Sequence, residues 1–191
     1  MSGPLVYVMG PSGAGKDSVM GRARQLLPVG TPVVFSHRYI TRPAEAGGEN
    51  HVALSAEEFT QRRDLGLFAF HWQAHGNHYG IGREIEAWRN AGLTVVVSGS
   101  REHFQTLAGL DGDTYPVLIT ASPVRLAERL ATRGREDAAA AAERIGRGTA
   151  LEVTDRRLAT IVNDGALETA AQAFVSLIAT LRCSPGARRR A

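Results

Sequence analysis

Cysteine and lysine are almost missing from this chain. Cys183 is the single cysteine, so no disulfide can form within the chain. Of 22 basic residues only Lys16 is a lysine, and the rest are arginine. No apolar run approaches the ~18 residues of a membrane-spanning helix. The opening MSGPLVYVMG has no basic start and too short an apolar run for a signal peptide. These absences predict a cytoplasmic protein with no membrane segment. Charge of one sign is also scarce: the net is +3, and part of that excess is the tail ARRR at 187–190. Such a balance gives a weak preference for anionic ligands and excludes a nucleic-acid footprint. The tail reads equally well as a solvated end. His51, His71, His75, His78 and His103 show no metal-ligand spacing.

What is present is enough apolar sequence for one domain: 191 residues, 43% of them hydrophobic. Short apolar runs at Pro4–Met9, Pro32–Ser36, LTVVVSG, TYPVLITA and RLATIVND read as buried strands. Helical segments alternate with them at Lys16–Leu27, REIEAWRNAG, SPVRLAERLATRG, REDAAAAAERIGRG and Ala166–Arg182. Ser122 is placed to cap the third of these, with Pro123 in its first turn. The alternation predicts an α/β fold: a parallel sheet with helices on both faces, and ligands at the C-terminal ends of its strands. Residues 36–81 interrupt it. Within them 37–54 reads as loop, Ser55 with Glu58 as a capping box opening a helix, and Leu67–Ile81 as a hairpin turning at HGN. The predicted organisation is a core (1–35, 82–130, 151–182), an acceptor-binding insert (36–81), a lid (131–150) and a basic tail (183–191).

The stretch GPSGAGKDS, from Gly10 to Ser18, carries the chemistry. Gly10-x4-Gly15-Lys16 has the spacing of a phosphate loop, in the required strand–loop–helix context. The predicted nucleotide-binding residues are Gly10, Pro11, Ser12, Gly13, Ala14, Gly15, Lys16, Asp17 and Ser18. Glycines let backbone N–H groups point at phosphate oxygens, and Lys16 would reach the β and γ phosphates. That the lone lysine stands here supports a specific role, although an arginine-biased composition could leave one lysine anywhere.

After the lysine such loops place a hydroxyl that ligates Mg²⁺, and here stands Asp17. A bare carboxylate repels phosphate, whereas one that shares a metal does not. The third core strand ends VVVSGS, with Ser98 and Ser100 and no acid. One possibility is that the metal-side carboxylate has moved from that strand end to Asp17. The other is that Ser18 serves the metal and Asp17 is an acid at a helix N-terminus.

With these motifs in order along the chain, GPSGAGKDS, SHRYITRP, HGNHYGI, RLATRGRED and IVND, the sequence resembles the guanylate kinase family over nearly its whole length. The resemblance implies a P-loop NTPase fold, ATP as phosphoryl donor with Mg²⁺, an acceptor-phosphate site at Arg42 and Tyr79 with Arg38 beside it, and an arginine-bearing lid. It makes Arg133 and Arg135 catalytic with Lys16, and Arg144 and Arg147 further lid arginines. All four could equally be ordinary exposed helix arginines. Asn163 and Asp164, after the last strand, stand where a nucleotide base could lie or make a plain turn.

The departures from guanylate kinases concern the base. His71 stands for the glutamate of their F-x-E-W pattern, Ile81 for a hydroxyl residue, and His51 for a tyrosine. A site built on hydrogen bonds discriminates poorly once those groups are gone. GKDS, RYITRP, ENHVALS and SGSRE are similar to the ribose 1,5-bisphosphate phosphokinases of phosphonate degradation. The resemblance implies transfer from ATP to ribose 1,5-bisphosphate, a phosphorylated sugar without a base, giving 5-phosphoribosyl diphosphate. Phosphorylation of GMP is the alternative, and a non-catalytic phosphopeptide-binding module of the same fold the other. The intact phosphate loop weighs against the last. The sequence leaves oligomeric state open.

Overall fold

The structure, a computed structural model, describes residues 2–46, 51–107, 112–132 and 153–183. The predicted lid (131–150, with Arg133, Arg135, Arg144 and Arg147), the Ala-rich helix and the end of the tail fall outside these residues, except for its first two positions.

Strand β1 (Leu5–Met9) is buried at every position, as a short apolar run without alternation should be. It pairs in parallel with β7 (Thr94–Ser98) on one side and β8 (Thr114–Thr120) on the other. The outer strands β2 (Val33–Phe35) and β9 (Ala159–Val162) complete a five-stranded parallel sheet in the order β2-β7-β1-β8-β9. Val6 and Val8 face α1 (Lys16–Leu26) and α6 (Leu167–Cys183), meeting Val19, Ala23 and Phe174. Leu5, Tyr7 and Met9 face the other way, toward Ile85 of α3 (Glu84–Asn90) and Phe104 of α4 (Arg101–Thr106). This is the predicted parallel sheet with helices on both faces. At about 25 cal/mol per Å² of apolar surface, burial on these two faces is the main stabilising term.

The second sheet lies within 36–82 and has the order β4-β3-β6-β5. Strands β5 (Phe68–Ala74) and β6 (Asn77–Gly82) form the predicted hairpin. Its turn residues His75 and Gly76 both have positive φ (49° and 73°), the backbone that a two-residue turn between twisted strands requires. The expectation of a loop over 37–54 needs correction: β3 (Arg38–Ile40) and β4 (His51–Ala53) pair there in parallel. Strands of three residues show no readable alternation and exist through their pairing. Helix α2 (Ala56–Asp64) starts as predicted, with Ser55 Oγ accepting from the Glu58 N–H at 3.1 Å. Helix α4 was not anticipated; Ser100 Oγ caps it by accepting from His103 N–H at 3.4 Å. Helix α5 (Pro123–Thr132) follows β8, with Ser122 Oγ accepting from Arg125 N–H. Among the described residues no helix is long and apolar enough to cross a membrane.

Candidate active site

The phosphate loop leaves β1 at the C-terminal edge of the sheet. Gly10 passes so close to β8 that a Cβ there would stand 1.9 Å from the Ile119 carbonyl oxygen. Gly13 and Gly15 have φ of 85° and 82°, the left-handed region that favours glycine. Gly15 is also the residue before α1, and a Cβ on it would lie 2.5 Å from Asn163 Nδ2. Lys16 Nζ donates to the Gly10 carbonyl at 3.3 Å, folding the side chain back over the loop. Pro11 and Ala14 are buried and Ser12 is half-buried.

Two residues outside the motif hold the loop. Asn163, buried at the end of β9, donates from Nδ2 to Ala14 O at 2.9 Å. Arg129 of α5 donates to Asn163 O at 2.7 Å and reaches the carbonyls of Gly13 and Ala14 at 3.5 and 3.4 Å. Asn163 was legible as a strand end where a base could lie or a plain turn form, and nothing in the sequence marks Arg129 among its many arginines. The two border a cleft of about 670 Å³ with Gly13, Gly15, Ser18 and Asp164, within the size range of small-molecule sites.

Asp17 and Ser18 diverge. Ser18 is exposed and lines this cleft. Asp17 faces the second sheet, where Arg38 Nη2 stands 3.6 Å from its Oδ1. That guanidinium is one-tenth exposed and its carbon lies 5.5 Å from the centre of the Tyr79 ring. The register sets Arg38 opposite His51 and Ile40 opposite Tyr79, and His51 Nε2 lies 3.1 Å from Arg42 O. The structure therefore brings Asp17, Arg38, Arg42, His51 and Tyr79 to one region beside the loop. For a divalent metal, no cluster of three or more His, Cys, Asp or Glu exists among the described residues. The Ser98 hydroxyl, buried at the end of β7, has no hydrogen-bond partner among the described residues, and the Asp17 carboxylate offers oxygen donors of the kind Mg²⁺ prefers.

His71 stands apart from this group. Phe70 and Trp72 pack toward the core sheet, and successive strand side chains point to opposite faces, so His71 emerges exposed on the other face. The inner-face position beside Trp72 belongs to Phe70, an apolar ring. Ile81 is fully buried with Leu5 and Tyr7 and presents no polar atom to a ligand.

Around Tyr7 lie groups that sequence reading did not connect. The Tyr7 hydroxyl stands 2.8 Å from His103 Nδ1 and accepts from Ser100 N–H at 3.3 Å. Burial pushes the Tyr7 phenol well above its ordinary pKa. Burial first, and then the charge of His71, pushes His103 down to about 4, so its imidazole is neutral at physiological pH. Gly99 makes room: a Cβ there would meet the Tyr7 ring and hydroxyl within 2.4 Å.

No protein-family model matches the chain. It is 51% identical over 174 residues to a ribose 1,5-bisphosphate phosphokinase PhnN of Desulfomicrobium baculatum, covering 91% of this chain and 93% of that protein. It is 48% identical over 176 residues to the protein of the same name from Dickeya zeae, covering 92% and 93%. Among solved structures it is similar to the guanylate kinase from Anaplasma phagocytophilum, with a TM-score of 0.71 at 18% identity, over 96% of this chain and 88% of that one. At that identity the likeness shows the fold, the α/β P-loop arrangement of the guanylate kinases. On the two sequence matches, each nearly full-length, the chain belongs to the ribose 1,5-bisphosphate phosphokinase PhnN family.

Proposed function

We propose that the protein transfers the γ-phosphoryl group of ATP to the 1-phosphate of ribose 1,5-bisphosphate, giving ADP and 5-phosphoribosyl diphosphate in the cytoplasm. The observation that carries this reading is a complete phosphate loop facing an acceptor region that has lost its base-reading groups. Phe70 and Ile81 offer apolar surface or none, while Arg38, Arg42 and Tyr79 offer cationic and hydroxyl donors. An acceptor with phosphate and no base suits that balance, and it agrees with the names of the relatives.

In this reading an oxygen of the acceptor phosphate forms a bond to the γ-phosphorus as the bond to the β–γ bridging oxygen breaks. The attacking oxygen is already anionic, so no general base is required, and the protein acts by positioning and by stabilising charge. Lys16 holds the β and γ phosphates, with the loop N–H groups of 13–18 around them. The cleft beside Arg129 and Asn163 receives the nucleoside. Arg38 and Arg42 grip the acceptor phosphate, since a guanidinium matches phosphate oxygens in a planar fork. Arg133 and Arg135, outside the described residues, would stabilise charge on the transferred group. Asp17 would hold Mg²⁺, which would supply charge neutralisation at the β and γ phosphates. Phosphorus-31 NMR of mixtures with ATP and Mg²⁺ tests the reading. A new diphosphate signal is expected with ribose 1,5-bisphosphate and none with GMP; GDP formation would overturn it.

A further inference from the structure

The inner face of the second sheet carries a ladder of rings beside Arg38. Arg38 lies over Tyr79; Tyr79 stacks on Trp72 with centroids 5.5 Å apart and planes at 6°; Trp72 stacks on His103 at 5.2 Å and 24°. His103 is tied at the far end by the 2.8 Å contact between its Nδ1 and the Tyr7 hydroxyl. Trp72 and Tyr79 face each other across the β5–β6 hairpin, and only tertiary packing adds His103 of α4 and Tyr7 of β1.

The ladder has features that plain core packing does not need. Tyr79 is only 8% exposed, yet its hydroxyl has no hydrogen-bond partner among the described residues. The Trp72 indole N–H likewise has no hydrogen-bond partner among the described residues, and both Trp72 and His103 are half-buried. Two acceptors stand within reach of the Tyr7 proton, the Ser100 carbonyl at 3.3 Å and His103 Nδ1 at 2.8 Å, and the shorter contact takes it. The imidazole is then the tautomer with hydrogen on Nε2, across the ring from Tyr7. Its neutral state at physiological pH follows from burial and keeps it a donor without a charge. The ladder thus gathers a phenol, an indole and an imidazole beside Arg38.

We propose that this ladder is the wall along which the acceptor sugar lies, and that His103 is a specificity-determining residue whose Nε2–H binds a ribose hydroxyl. Tyr7 is a positioning residue that fixes the tautomer and ring plane of His103. The proposal rests on the sugar-phosphate reading above and says which side chains recognise the sugar. Neutral donors suit hydroxyl oxygens, and a site built on such bonds rejects acceptors that cannot make them.

The test uses the full chain with His103→Phe, which keeps a ring against Trp72 and deletes both nitrogens. Initial rates are measured with ribose 1,5-bisphosphate varied at saturating ATP, and the reverse. The expected result is a rise of about tenfold in the acceptor KM, the size of one lost neutral hydrogen bond, with the KM for ATP unchanged. Tyr7→Phe should raise the acceptor KM less, about threefold, because the ring stays in place while its tautomer is released. A merely structural role would move both KM values together or neither. Tryptophan fluorescence titrated with ribose 5-phosphate gives a readout that does not depend on turnover, since Trp72 stands inside the wall. Wild type should show a saturable change and His103→Phe a weaker one, even if the sugar bisphosphate proved not to be phosphorylated. No fluorescence response in wild type, or unchanged acceptor KM and affinity in His103→Phe, would overturn the proposal.

Discussion

The two halves of the site are built by different means. On the nucleotide side the ligand-facing surface is mostly backbone: Gly13 and Gly15 in left-handed conformations and a helix N-terminus, braced by Arg129 and Asn163. On the acceptor side it is mostly side chains: Arg38, Tyr79, Trp72 and His103, stacked or paired with one another. A backbone cradle suits a phosphate chain common to many enzymes. Side chains can be exchanged one at a time, so this is where a fold shared with guanylate kinases can change its acceptor. Asp17 stands at the seam, within the loop by sequence and against Arg38 in space.

The largest expected effect on the nucleotide side comes from Lys16→Ala. Losing a cation aimed at the transferring phosphates should lower kcat by about 10²–10³-fold, seen in steady-state rates with either acceptor. Next is Gly15→Ala. A left-handed backbone costs a residue with a Cβ about 1–2 kcal/mol, and this Cβ also meets Asn163, so denaturant unfolding should show a loss of that order or more and ATP binding should weaken. A comparable strain on the acceptor side would blur the contrast, since no acceptor-facing residue depends on a special φ among those described.

Asp17→Asn separates the two roles at the seam and should act more mildly. The Mg²⁺ concentration giving half-maximal rate should rise several-fold, and the acceptor KM with it, because Arg38 loses its carboxylate neighbour. A change in acceptor KM alone would assign Asp17 to the acceptor side.

The smallest effect is one of pH on stability. His103 is held near 4 in the folded protein against an ordinary 6.5, so the unfolded chain binds more protons between these values. Its contribution to stability is complete above pH 6.5 and declines as pH falls toward 4. Denaturation midpoints followed from pH 7 to pH 4 should fall less in His103→Phe than in wild type, while variants of the phosphate loop keep the wild-type slope.

Where sequence reading succeeded, the cause was local. The phosphate loop, the Ser55 cap and the hairpin turn are each specified by a few consecutive residues whose backbone or hydrogen-bonding needs are recognisable. His71 shows the limit: a single step along β5 moves a side chain to the opposite face, and only the pairing with β6 shows that Phe70 and Trp72 turn inward. The short strands β3 and β4 escaped for a related reason, since three residues carry no period.

By itself, then, the sequence determined the phosphate cradle and the parallel α/β alternation, because each is written in neighbouring residues. The ring ladder, the Asp17–Arg38 pair and the Arg129 and Asn163 braces were decided only by tertiary structure. Their partners lie far apart in the chain, 96 residues between Tyr7 and His103 and 149 between Ala14 and Asn163, and no local preference links them until the sheets have closed.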